Sequence, residues 1–357
     1  MQGADENSKQ KKDQTLFRPA IPFNVIDVGH TFVRAGEEMG WDFSNAEQLL
    51  KRIQNIEYGL DAEVEFAAIV SWLGKCRLVH RLDQNSFSSY PAHELEIPDL
   101  QLVFENKSNQ FTVLVEVKST QTNRLKLKPS YLQGLRQYAE TAGQPLLIAW
   151  KPRKIGLWLL VDPSIAVEDG AHRVIELGEG FKHNLMSGLA GDFAVNPYSG
   201  CGLHLEAKRT SEKFPHPDGF EAEFKIDRVE FIDQLGQILN SVPESVMATL
   251  YATMEFTEKV SDDRIVWSFT SQEGLVFAQN ILRTVVGMSK PAGEKIHWNH
   301  VGKQLDQILS RDSLLSGIQA HIGKTIMQLL YQHPIEWPRF IPNNLRLKPE
   351  PPSIVDA

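Results

Sequence analysis

Two cysteines, Cys76 and Cys201, are all that a chain of 357 residues contains, so neither a disulfide framework nor a four-thiolate zinc or iron–sulfur site can be built from it. Any metal would be held mainly by oxygen. The chain also lacks long apolar runs: Leu157-Trp158-Leu159-Leu160-Val161 falls far short of the roughly 20 residues a helix needs to cross a bilayer. The N-terminal residues are polar, without the apolar stretch of a secretory signal, so the expected location is the cytoplasm. Internal repeats, a GxxxxGK[ST] phosphate loop and a G-x-S-x-G nucleophile turn are missing too. Purine-nucleotide hydrolysis and serine-hydrolase chemistry lose their usual carriers.

The net charge is −8, which excludes a surface that is basic throughout. Charge is unevenly spread, however. Lys118 to Lys154 holds eight basic residues and one acid, a local +7 that leaves −15 for the remainder. A polyanion would be drawn to one place.

Residues 1–20 are predicted to be a flexible polar tail. Ser44 and Glu47 have capping-box spacing at the head of an apolar stripe running to Ile56, and a second helix is expected from Asp61 to Leu73, ended by Gly74 in the left-handed conformation. Two strands follow, Asp99 to Glu105 and Phe111 to Thr120, then a helix from Tyr131 to Thr141 and short strands at Leu146 to Trp150 and Leu157 to Val161. This order describes an α/β domain over 21–160, with a mixed central sheet flanked by helices. Residues 161–357 read as a second, α+β domain of unidentified fold, irregular or β-rich to about 227. Helices are expected there at Ser245 to Glu255 and Glu273 to Val286. Its suggested role is specificity or oligomerisation.

The chemistry concentrates in IPDLQLVFENKSNQFTVLVEVKST, residues 97–120. Strand alternation puts Glu116 and Lys118 on one face and Val113, Val115 and Val117 on the other, and closing the hairpin brings Asp99 beside Glu116. Adjacent carboxylates repel unless a cation lies between them. Hard oxygen donors suit Mg²⁺, for which Asp99, Glu116 and the Val117 carbonyl are candidate ligands, with Mn²⁺ able to substitute. Beside a phosphodiester, such a centre with Lys118 could hydrolyse it. The alternative reading of the same residues is a charged, solvated hairpin face. Arg124, Lys126, Lys128 and Arg136 are candidate phosphate contacts, and Gln133, on the following helix, could hydrogen-bond the lysine or a phosphate.

These residues resemble the PD-(D/E)xK nuclease superfamily, and within it the archaeal-type Holliday junction resolvases, over about residues 57–152. The resemblance lies in YGLDAEVEFAAIVSWLGK, where Gly59, Glu63 and Gly74 have the spacing of the family's opening helix, then Pro98-Asp99, Glu116-Val117-Lys118, and YLQGLRQYAETAGQPLLIAW. It implies a restriction-endonuclease-like core, Asp99 and Glu116 as metal ligands, Lys118 assisting the attacking water, and Glu63 completing the metal shell. Glu65 is the competing carboxylate but lies farther from the apolar stripe. Exonuclease-like relatives place a Tyr four residues after a Gln; here Tyr138 stands five after Gln133, which departs from that branch.

The expected activity is Mg²⁺-dependent DNA endonuclease, compatible with recombination, repair, restriction or defence against mobile DNA. A homodimer or a place in a nuclease complex would fit, since one site cuts one strand. Rival readings are a non-catalytic nucleic-acid-binding or assembly subunit that retains the fold, and an RNA nuclease. His297 and His300 have HxxH spacing without a third ligand, and Cys201 with His204 is half a zinc site with no second half.

Overall fold

The computed structural model describes residues 62–82, 95–106, 109–217, 219–239, 241–251, 253–272, 274–288, 296–320 and 326–346. The expected tail and the helix from Ser44 lie outside these residues. A helix over residues 62–72 (α1) leads through Gly74, at φ 79°, into strands β1 (Cys76–Arg81), β2 (Leu100–Asn106) and β3 (Asn109–Thr120). Strand β4 (Arg124–Leu127) and helix α2 (Pro129–Thr141) then lead to β5 (Leu146–Pro152) and β6 (Leu159–Val161).

The central sheet has the order β1-β2-β3-β5-β6 and is mixed: β3 and β5 are parallel and the other pairs antiparallel. Two antiparallel strands can turn directly into each other, but a parallel pair needs a crossover. Helix α2 lies within that crossover. Pro129 suits its first turn, where a fixed φ costs nothing and no N–H is missed. Because β3 is covered on both sides it reads as a nearly unbroken apolar run rather than an alternating one. Val113, Val115 and Val117 pack with Phe66 and Ile69 of α1, while Leu114 packs with Leu132 and Leu135 of α2. Glu116 is therefore an anomaly, a carboxylate on the buried α2 side of the innermost strand.

Beyond β6 the chain forms β7 (Val167–Asp169) and β8 (His172–Glu176), which complete a three-stranded sheet with β4. A second five-stranded sheet, entirely antiparallel, has Gly202–Arg209 at its centre, Phe224–Ile232 and Ile238–Leu239 to one side, and Arg264–Ser271 and Met254–Val260 to the other. The helix expected from Ser245 to Glu255 stops at Tyr251, and the chain from Met254 is a strand. There Phe256, Glu258 and Val260 alternate with Thr257 and Lys259, a period of two that defeats a helical stripe. The second expected helix is Ala278–Met288. Among the described residues, no helix is long and apolar enough to cross a membrane.

Polar ties join the C-terminal residues to the central sheet. Glu65 of α1 is 6% exposed and pairs with Lys151 of β5 and with Arg283, whose Nε donates to it at 2.8 Å. Gln279 accepts from Trp158 N (2.7 Å) and donates through Nε2 to Asp192 Oδ2 (2.7 Å). Burial pushes the Asp192 carboxyl up to about 6, against the pull of its hydrogen bonds to Gln279 and Phe193. A raised folded-state value means that stability is fullest below the unfolded value near 4 and is lost as pH rises through about 6. The stability of the protein minus that of its Asp192→Asn variant, measured by urea unfolding, is expected to fall by roughly 2–3 kcal/mol from pH 4 to pH 7. A flat difference would contradict this.

Candidate active site

The register Leu100↔Val115 continues one step to bring Asp99 opposite Glu116, and the backbone N–H of Val117 donates to Asp99 Oδ2 at 2.7 Å. The strand pairing that builds the sheet thus fixes the carboxylate. Glu63, near the start of α1, accepts from Arg81 at 2.6 Å, and Arg81 pairs with Leu100, the residue after Asp99. Glu116, 1% exposed, accepts on Oε1 from both the Lys118 ammonium and the Tyr131 hydroxyl. Lys118 Nζ also donates to the Tyr131 oxygen at 3.1 Å and sits 5.0 Å from the centre of its ring. The second Glu116 oxygen, Oε2, is buried and has no hydrogen-bond partner.

The electrostatics follow from this crowding. Burial raises the Glu116 carboxyl to about 7, with Asp99 adding to the rise and Lys118 opposing it. Asp99 is raised by burial against the pull of Lys118, and Glu63 by burial and by Asp99 against the pull of Arg81. Burial would lower Lys118, but Glu116, Tyr131 and Asp99 hold it above its usual value, so the ammonium stays charged. Asp99 and Glu116 thus face each other with too little water to ionise freely, and Glu63 stands within electrostatic reach of Asp99. A cation would relieve them.

Among the described residues, no three His, Cys, Asp or Glu side chains already converge as a metal cage. The donor set is smaller, a pair of carboxylates, and suits Mg²⁺, which takes one or two carboxylates and keeps water or phosphate oxygens in the rest of its shell. The partnerless Glu116 Oε2 beside Asp99 is the observation that fits such an ion. Glu63 lies within electrostatic reach of Asp99 but is engaged by Arg81.

Glu63, Asp99, Glu116, Val117 and Lys118 therefore lie together, with Val117 contributing its N–H to Asp99. The other candidates lie elsewhere. Gln133 is exposed on α2, two residues and about 200° from the face that carries Tyr131. Arg124 pairs with Asp169 and Glu176 on the small outer sheet, Lys126 and Lys128 are exposed, and Arg136 donates weakly to Pro163 O at 3.4 Å. Lys151, counted in the basic stretch, is taken up by Glu65. Tyr131 and Arg81 are the residues that sequence reasoning missed. The Pro129 start signal places Tyr131 in the first turn of a helix beside β3, whereas nothing local to Arg81 marks it.

The model of the archaeal Holliday junction resolvase family (Hjc) matches residues 86–182. Among solved structures, Hjc from the archaeal hyperthermophile Archaeoglobus fulgidus, a Holliday junction resolvase, matches at 20% identity over 28% of this chain and 74% of that one, with a TM-score of 0.22. No curated protein matches the chain. The matched family segment contains Asp99, Glu116 and Lys118 but begins after Glu63 and Arg81, whose membership in the site rests on geometry. Over residues 86–182, under a third of its length, the chain resembles the archaeal Holliday junction resolvases of the PD-(D/E)xK superfamily, which supports a nuclease-type function for this part of the protein.

Proposed function

We propose that the protein is a Mg²⁺-dependent endonuclease that hydrolyses DNA phosphodiesters at Asp99, Glu116 and Lys118. The observation that carries this reading is the buried, partnerless Glu116 Oε2 next to a second carboxylate and a charged lysine. Asp99 and Glu116 would hold the ion, with Glu63 able to join from α1. When bound, Mg²⁺ supplies charge stabilisation at the phosphoryl oxygens and a more acidic water. Asp99 is pre-oriented by the Val117 N–H, so it loses little freedom on binding a cation. The Lys118 ammonium can orient a nucleophilic water and offset negative charge as it develops on phosphorus oxygens. Tyr131, bonded to both Lys118 and Glu116, keeps those two groups in register.

The likeness to Holliday junction resolvases favours a branched DNA substrate. The exposed Lys126 and Lys128 lie in the stretch leading into α2, where they would meet the backbone of such a substrate. We place the reaction in the cytoplasm, with residues 161–357 serving specificity or assembly. A panel of linear, circular, single-stranded and four-way-junction DNA and matched RNA, incubated with Mg²⁺ or Mn²⁺, tests the substrate class. Preferential cutting of branched DNA is expected; equal cutting of RNA would overturn the DNA assignment.

In the same assay Tyr131→Phe is expected to lower turnover about tenfold, the loss of roughly one hydrogen bond to a charged group. Gln133→Ala should leave the rate within about twofold, because it faces solvent on α2. Equal losses in the two variants would contradict the placement of Tyr131.

A further inference from the structure

The second five-stranded sheet has one charged and one apolar face. On the charged face Glu206 pairs with Arg228 and Arg264, and the Ser268 hydroxyl lies 3.0 Å from His204 Nδ1. The register puts Val229, Leu205, Trp267 and Glu258 in one row across the other face, and Ile226, Ala207, Ile265 and Val260 in the next. Phe256 and Phe269 head those rows with their rings 5.1 Å apart. An antiparallel sheet with one apolar face ordinarily covers it and leaves the polar face to water. Here Val229 is 59% exposed, Val260 56%, Phe256 55% and Ile226 53%.

We propose that this face docks a second copy of the chain, sheet against sheet. Its charged groups are Glu258, which accepts from Trp267 Nε1 at 2.9 Å, and, at the end of the central strand, Arg209, whose guanidinium donates to Asp262 O and Ser211 O, so the face is close to neutral although each chain carries −8. With that one cation at the edge and bonded to backbone carbonyls, the face offers a nucleic acid little purchase. The four exposed side chains and their half-buried neighbours leave roughly 500 Å² of apolar surface uncovered, and two copies would bury about 1,000 Å², where specific interfaces begin. A flat sheet face is also self-complementary, since two sheets stack about 10 Å apart with their side chains interdigitated, and a two-fold axis satisfies both copies with the same residues. All these residues lie outside the segment that resembles the resolvases, and the docking stands independently of the nuclease reading.

Sedimentation equilibrium of the full chain tests it. The wild type is expected to sediment at twice the chain mass, while Val229→Glu and Phe256→Glu weaken self-association about a hundredfold or more by burying a charge. Both positions are exposed, so far-UV circular dichroism should match the wild type, while melting should fall to that of the wild type diluted to monomer; Lys259→Glu, on the charged face, is the control and should still dimerise. Hydroxyl-radical labelling of Phe256 and Trp267 should rise on dilution of the wild type. A monomeric wild type, or a dimer that survives both face variants, overturns the proposal. So does Trp267 labelling that stays low in a proven monomer, which would mean that the chain covers its own sheet, or recruitment of a monomer to phosphatidylcholine vesicles, which would make the face a lipid contact.

Discussion

Lys118→Met is expected to reduce DNA cleavage by about a thousandfold while leaving the protein folded and able to bind Mn²⁺. The magnitude is that of removing one preorganised charge from a developing oxyanion. The separation of binding from turnover follows from the geometry. Lys118 contacts Glu116 through Oε1 only, and the Oε2 oxygen assigned to the ion is independent of it. Removing the ammonium leaves Glu116 buried beside Asp99 with less compensation, so the affinity for a divalent cation should hold or rise. Glu116→Gln should instead abolish both, since it removes the anionic donor. The comparison needs Mn²⁺ titration by calorimetry and single-turnover cleavage on the same preparations. A Lys118→Met protein that has lost its metal, or that cuts at the wild-type rate, would contradict the division of labour between Oε1 and Oε2.

The largest effect on stability is expected from Glu65→Ala. This carboxylate is the shared partner of Lys151 and Arg283, both with side chains 19% exposed, and it links α1, β5 and the helix Ala278–Met288. Replacing it strands two cations in poorly hydrated surroundings. Breaking a buried ion pair from one side costs about 3–5 kcal/mol, mostly as the penalty of the charge left behind. Urea unfolding should show a loss of that size, whereas Glu63→Ala, whose partner Arg81 reaches water, should cost about 1 kcal/mol or less. Near-equal losses would show that the buried triad is not what joins these elements.

The two α1 carboxylates illustrate how much of the protein was legible in its sequence. Helical phase put Glu63 nearer the apolar stripe than Glu65, yet Glu65 is the buried one, at 6% exposed and paired with Lys151, while Glu63 is half-buried, held by Arg81 and within electrostatic reach of Asp99. Phase alone could not reveal what Glu65 does, because its partner Arg283 is over two hundred residues distant. The hairpin was legible because its signals are local: strand alternation and one polar connection bring Asp99 to Glu116. Alternation did not show that Glu116 is buried, which depends on α2 closing over β3. The basic stretch after Lys118 was a count of charges, and counting does not distinguish Lys151, spent on Glu65, from Lys126, exposed to solvent. In the C-terminal half the alternation of Phe256, Glu258 and Val260 was present in the chain, but the amphipathic run just before it masked the change of period at Met254.

The central claim is that Asp99, Glu116 and Lys118 form a metal-dependent nuclease centre. It is tested most directly by single-turnover cleavage of an end-labelled four-way DNA junction, with and without Mg²⁺, by the wild type and by Asp99→Ala. Mg²⁺-dependent cutting by the wild type, reduced at least about a thousandfold in the variant, is the predicted result. Cutting that persists without a divalent cation, or equal rates for the two proteins, would contradict it.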